Sequence, residues 1–354
     1  MNITELKALI KGALVKDASV NFADGQAAAI NALCEFYGIT PEMSIREVRR
    51  ALPSRDKQFE IIEEVLDEIL PKELENIMGQ WATIKSFARN EEVKFTTSKL
   101  GKRRAMLSIV PGARGGLYKA RRLDNKDLFI STKLYTAGVY VTLEDLLLGN
   151  VTLGELMDNI LKGITYQVYV DVVAALRTAK TMAPAANKVV SASSEEITDI
   201  VAAKFDNLIR IVGAYGRPVI MCFESFANKF ANVVNSSNPA WNPNVPAADL
   251  EDIRNYGRVQ LYKGHPIVVL PNFIIDEVNN DVWAFSEHEC FILPADTKPV
   301  VVAMQGEGHI EAVSIPSGGE EEHYHKIMGT ALLFANNIAI YSMKPDASFK
   351  YQYN

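Results

Sequence analysis

The stretch Val151–Met182 limits the possible folds more than any other part of the chain. Apolar residues at Leu153, Leu156, Met157, Ile160, Leu161, Ile164, Val168, Val172, Val173 and Leu176 recur at the spacing of one buried helix face. Thr152 and Glu155 stand in capping-box register at its start, where hydroxyl and carboxylate can each satisfy a backbone amide, and Pro184 ends it. At about 1.5 Å per residue this helix runs to roughly 45 Å, more than an ordinary compact domain requires, so it should serve as a spine.

The rest of the chain must supply the layers that cover it. With 354 residues, 48% of them apolar and 23% charged, there is material for one large core or two to three modest ones. A formal net charge of -6 argues against a protein whose whole surface binds nucleic acid, so only local charge is informative. Cys34, Cys222 and Cys290 lie far apart inside apolar runs, the pattern of buried free thiols in a reducing cytoplasm, and no disulfide is expected. Residues 1–12 are amphipathic rather than signal-like, and no apolar run approaches membrane-spanning length.

Residues 2–78 read as short helices. The clearest runs from Ser54 to Leu70, with Phe59, Ile62, Val65, Leu66 and Ile69 on one face, Glu60, Glu63, Glu64, Asp67 and Glu68 mostly on the other, and Pro71 as its stop. The strongest charge feature follows. Lys99, Lys102, Arg103, Arg104, Arg114, Lys119, Arg121 and Arg122 stand in a stretch with no acidic residue. Its context is β, with strands at 105–110 and 117–120 around the turns Pro111-Gly112 and Gly115-Gly116, then strands at 128–134 and 135–141. Together these describe a cationic hairpin arm, marginal alone and in need of a partner surface.

After the spine, Ser193 and Glu196 open a second helix through Phe205, Leu208 and Val212, and 218–223 reads as a buried strand. Ser225 starts a helix reaching Val233. Strands then follow at 258–262 and 265–270, joined at Lys263-Gly264, and at 282–285, 290–293, 300–304 and 309–315. The fold class is α+β, with helices segregated on a mixed sheet.

Catalytic chemistry is thin. His323 and His325 fall on one face of a strand and could share a metal, with His309 upstream, but Lys326, Ile327, Met328 and Gly329 stand where a cupin-type site needs a carboxylate. A polar surface loop is the simpler reading, and His265 and His288 read as structural histidines. There is no phosphate loop, dinucleotide fingerprint or nucleophile elbow. A metal-dependent enzyme using His323 and His325 is the alternative from a different class.

The order of parts is a helical N-terminal arm, a basic hairpin, a long helix and a helix-flanked sheet. Within it, Tyr262-Lys263-Gly264-His265-Pro266-Ile267-Val268-Val269 resembles the aromatic-x-Gly-x-Pro strand pair of tailed-phage major capsid proteins. Met328–Phe334 with Ala339-Ile340-Tyr341 is similar to the end of their axial domain. The chain therefore resembles the Hong Kong 97 capsid fold over essentially its whole length.

That resemblance implies a structural protein, not an enzyme, without cofactor or metal. It would assemble as hexamers and pentamers into the icosahedral shell around the double-stranded DNA of a tailed phage. It implies an N-terminal helical arm at 1–90, an E-loop and stem at 91–147, a peripheral domain at 148–193 and 296–317, and an axial domain at 194–295 and 318–354. Expected partners are further copies of the chain, scaffolding, portal or decoration proteins, and packaged DNA through non-specific contact, with no membrane. Assembly would take place in the host cytoplasm. No motif matches the family's crosslinking acceptor and catalytic positions, so the shell is expected to be non-covalent. An encapsulin-like nanocompartment shares the fold and is the nearer alternative. The two charge features then join: the cations of 99–122 would lie on an acidic surface of a neighbouring subunit, with Glu60, Glu63, Glu64, Asp67 and Glu68 as candidates.

Overall fold

The computed structural model describes residues 60–79, 81–98, 125–140, 153–189, 199–235, 260–276, 278–295, 298–314, 320–344 and 350–353. The chain divides into two units. The first gathers residues up to Phe95, Phe129–Val173 and Val301–Ala331; the second gathers Thr96–Leu128, Ala174–Val300 and Leu332–Asn354.

The first unit is built on helix α1 (Glu60–Met78), strands β1 (Ala82–Phe87) and β4 (Lys133–Tyr140), and helix α2 (Leu153–Met182) as far as Val173; the rest of α2 and most of strands β2 (Lys94–Ser98) and β3 (Asn125–Phe129) fall in the second. The long strands β11 (Val300–Ser314) and β12 (Glu320–Leu332) complete it. Its four-stranded sheet has the order β1-β11-β12-β4, and β12 runs antiparallel to β4 with His325 opposite Thr136. Helix α2 is the expected spine. Ile160, Leu161, Ile164, Val168, Val172, Val173 and Leu176 are all buried, as their spacing requires. The capping residue Thr152 lies outside the described residues.

Three sequence expectations change here. Pro71 does not stop α1: the helix carries it in its interior and continues to Met78. A proline there loses one hydrogen bond and costs about 3 kcal/mol. Leu70, Leu74 and Met78 are essentially fully buried on either side of it, and that packing holds the helix together. The two strands expected at 300–304 and 309–315 are a single strand, because Gly306 at φ +70 bends the backbone within β11 without ending it. The strands expected at 128–134 and 135–141 are β3 and β4, parted at 130–132, where the Ile130 amide donates to the Val93 carbonyl instead.

The second unit contains β5 (Lys188–Val189), helix α3 (Ala202–Gly213), β6 (Pro218–Phe223), helix α4 (Glu224–Asn235), β7 (Leu261–Tyr262), β8 (His265–Leu270), β9 (Val282–Phe285), β10 (Glu289–Pro294), β13 (Ala339–Ser342) and β14 (Lys350–Tyr353). Its six-stranded sheet has the order β5-β13-β10-β6-β8-β7 and is mixed: β6 pairs β8 parallel and β10 antiparallel. The β7–β8 turn puts Lys263 at φ 47 and Gly264 at φ 81, the pair of positive angles a two-residue hairpin needs. On the face covered by α3 and α4, Phe205 meets Phe230 and Tyr262 edge-on at 5.3 Å between ring centroids, and Tyr341 at 5.5 Å.

Helix α3 starts at Ala202 with Val201 extended before it, and Ser193 and Glu196, the pair expected to open it, lie outside the described residues. A tertiary contact meets the chain there. The Tyr341 hydroxyl accepts from the Val201 amide at 2.9 Å and donates to the Asp199 carbonyl at 3.2 Å, which satisfies the backbone just ahead of the helix.

Candidate assembly surfaces

The carboxylates of α1 divide by direction. Glu63 and Asp67 are one turn apart on the flank facing β11 and β12. Asp67 Oδ2 accepts from the Gly308 amide at 2.6 Å; Oδ1 accepts from the Tyr324 hydroxyl at 2.9 Å and from Lys326 Nζ at 2.7 Å. Lys326 also donates to the Gly306 carbonyl at 2.8 Å and is buried. Glu63 accepts from the Ile310 amide, with His309 Nδ1 3.2 Å away. Burial, and then the neighbouring Asp67 carboxylate, push the Tyr324 hydroxyl above its ordinary range, so it stays a proton donor at any physiological pH. This latch fixes α1 to its own sheet.

Gly308 is part of it, because a Cβ there would meet the Tyr324 hydroxyl oxygen at 2.2 Å. Nothing in the sequence flags the latch. An inward lysine on an alternating strand reads as an exposed one until the strand's partner is known.

Of the acidic residues expected to face a neighbour, Glu63 and Asp67 are thus engaged within their own chain. Glu64 and Glu68 are exposed, Glu68 with Lys72 at 3.4 Å, and the side chain of Glu60 lies outside the described residues. All eight cations of 99–122 also lie outside them. Their stem does not. Strands β2 and β3 pair with each other, and the Thr96 hydroxyl donates to Asp127 at 2.7 Å, so the cationic stretch leaves and returns at one place. Phe129, the last residue of β3, and Leu134 on β4 expose most of their surface.

His323 and His325 sit on strand β12, not in a surface loop, with their rings stacked 6.2 Å apart. His325 Nδ1 lies 2.9 Å from the Thr136 hydroxyl and Nε2 3.7 Å from Glu311. Gly138 leaves room for the His323 ring. Among the described residues no group of three or more His, Cys, Asp or Glu side chains is placed to hold a metal. No described helix is long and apolar enough to cross a membrane.

The second unit has its own polar centre. Glu289, nearly buried, accepts from Arg177 Nε at 2.7 Å and from Lys180, while Arg177 Nη1 donates to the Tyr353 carbonyl at 2.7 Å. That ties the last strand to α2. At the start of α4 a cleft of about 540 Å³ is lined by Glu224, Asn228, Asn272, Trp283 and Glu287. Glu287 is held there by the Ser225 amide at 3.2 Å, the Ser225 hydroxyl and Asn272 Nδ2 at 2.8 Å. Past the cleft, Phe273, Ile274, Ile275 and Val278 form an exposed apolar loop.

Against known proteins, the match gives a class first: a model for capsid proteins fits residues 5–341. The family is described as "SPbeta prophage-derived putative capsid protein YonB", and the chain belongs to it. Its role is structural, that of a phage capsid protein, not an enzyme. No curated protein matches the sequence. Among solved structures, the capsid of Cyanophage P-SCSP1u is 11% identical, covering 76% of this chain and 88% of that one at a TM-score of 0.47. A structure titled Microbacterium phage Oxtober96 is 11% identical over 74% and 89%, at 0.48. The virus-like particle from Pyrococcus furiosus is 10% identical over 78% and 98%, at 0.43.

Proposed function

We propose that this chain is the major shell subunit of a tailed-phage head, with the Hong Kong 97 arrangement, assembling as hexamers and pentamers around double-stranded DNA. The observation that carries this reading is the family match over residues 5–341. The order of elements agrees with it: a paired stem bracketing a cationic excursion, a long helix, then a helix-covered mixed sheet. The reading makes 99–122 the tip of the E-loop, residues 153–182 the peripheral spine, and the six-stranded sheet the axial domain. Assembly takes place in the host cytoplasm, with scaffolding, portal or decoration proteins as further partners and non-specific contact with packaged DNA.

The cationic tip lies on an acidic surface of the neighbouring subunit. On α1 the carboxylates turned outward for this are Glu64 and Glu68. One exposed ion pair contributes only ~0–1 kcal/mol, but a closed shell repeats it at every subunit. Reversing Arg103 and Arg104 to glutamate is therefore expected to abolish or strongly weaken assembly at low salt, read as loss of the fast-sedimenting species. Normal particles from that double variant would remove the arm from the account.

A further inference from the structure

Cys222 on β6 and Cys290 on β10 occupy directly opposed positions of two antiparallel strands in the middle of the six-stranded sheet. Both are fully buried, and both belong to the same core as Phe226 and Tyr341. Each is a free thiol, and the two lie within hydrogen-bonding reach of one another. Opposed residues of an antiparallel pair hold their Cα atoms about 4.5–5.5 Å apart, and a disulfide accepts about 4.4–6.8 Å. A bridge between them needs no change of strand register.

We propose that Cys222 and Cys290 form an oxidation site, free as thiols in a reducing cytoplasm and closing into a cross-strand disulfide when the chain meets a small-molecule disulfide oxidant such as oxidised glutathione. One cysteine, as its thiolate, attacks a sulfur of the oxidant, giving a mixed disulfide and expelling one glutathione thiolate. The second cysteine attacks the protein sulfur of that mixed disulfide and expels the other glutathione. Two protein thiols are oxidised, one external disulfide is reduced to two thiols, and the two protons end on them.

Burial raises the Cys290 thiol well above its ordinary range, and the adjoining Cys222 raises it further. Thiolate is scarce while the sheet is closed, so exchange waits for an opening of β6 from β10. The bridge would then tie together the two ends of the excursion that carries α4, β7, β8 and β9. A loop of about 70 residues closed in this way favours the folded state by on the order of a thousandfold. The inference stands apart from the shell reading, because it concerns the subunit's own sheet.

The test uses the full chain, purified with reductant and then held in native buffer with oxidised glutathione. Free thiols are blocked in denaturant and the digest is mapped by mass spectrometry. The expected result is a peptide linking Cys222 to Cys290, in a chain about 2 Da lighter. A higher denaturation midpoint that dithiothreitol reverses should accompany it. Recovery of both cysteines as blocked thiols, as separate glutathione adducts, or linked to Cys34 overturns the proposal. Cys222→Ser should abolish both the link and the midpoint shift.

Discussion

Asp67→Ala is expected to destabilise the first unit by about 3–5 kcal/mol, the cost of removing one partner from a buried charged pair. The variant leaves the Lys326 ammonium, whose side chain is 6% exposed, without its carboxylate. It also strips the Gly308 amide and the Tyr324 hydroxyl of their acceptor. Urea unfolding followed by tryptophan fluorescence can check this, since Trp81 packs edge-on against Tyr169 in the same unit. The second variant gives the experiment its discrimination. Adding Lys326→Met removes the stranded charge, so the double variant should recover much of the loss. A double variant no more stable than Asp67→Ala would mean that Lys326 is not what makes the carboxylate necessary.

Phe205→Ala is the other large effect, about 3–5 kcal/mol, and it falls on the second unit. Phe205 is fully buried and its ring is shared by Phe230, Tyr262 and Tyr341, which come from α4, β7 and β13. Truncation leaves a cavity under three aromatic neighbours that cannot all close on it. Amide exchange should accelerate in β6, β10 and β13 while the amides of α1 and β12 keep their protection. Equal acceleration in α1 and β12 would contradict a loss confined to the core around Phe205.

How much of this was legible in the sequence follows from which forces decide each element. Strand β6 matches its expected bounds because an unbroken apolar run between turn signals has no competing reading. Helix α2 was legible because its apolar positions sustain one period over many turns. The readings that changed are those where a distant residue decides. The hydroxyl that meets the Val201 amide just ahead of α3 belongs to Tyr341, and the packing that carries α1 past Pro71 comes from Leu74 and Met78. Strand β12 pairs with β4, a choice that depends on sheet order rather than on its own residues.

The candidate site was legible as composition more than as contact. The run of cations and the acidic helix are plain in sequence, but a glutamate's direction is set by the helix's final seating. Asp67 and Glu68 look alike until one turns toward Lys326 and the other toward Lys72. The Cys222–Cys290 pair is invisible for a similar reason. Strand register, not spacing in sequence, brings the two thiols together.

The most direct test of the central claim is electron microscopy of the purified full chain, beside its size-exclusion profile, at low and at high salt. The shell reading predicts closed particles, or rings of five and six, eluting far ahead of a single subunit. A monodisperse monomer or dimer at both salts, unchanged by a co-expressed scaffolding partner, would contradict it.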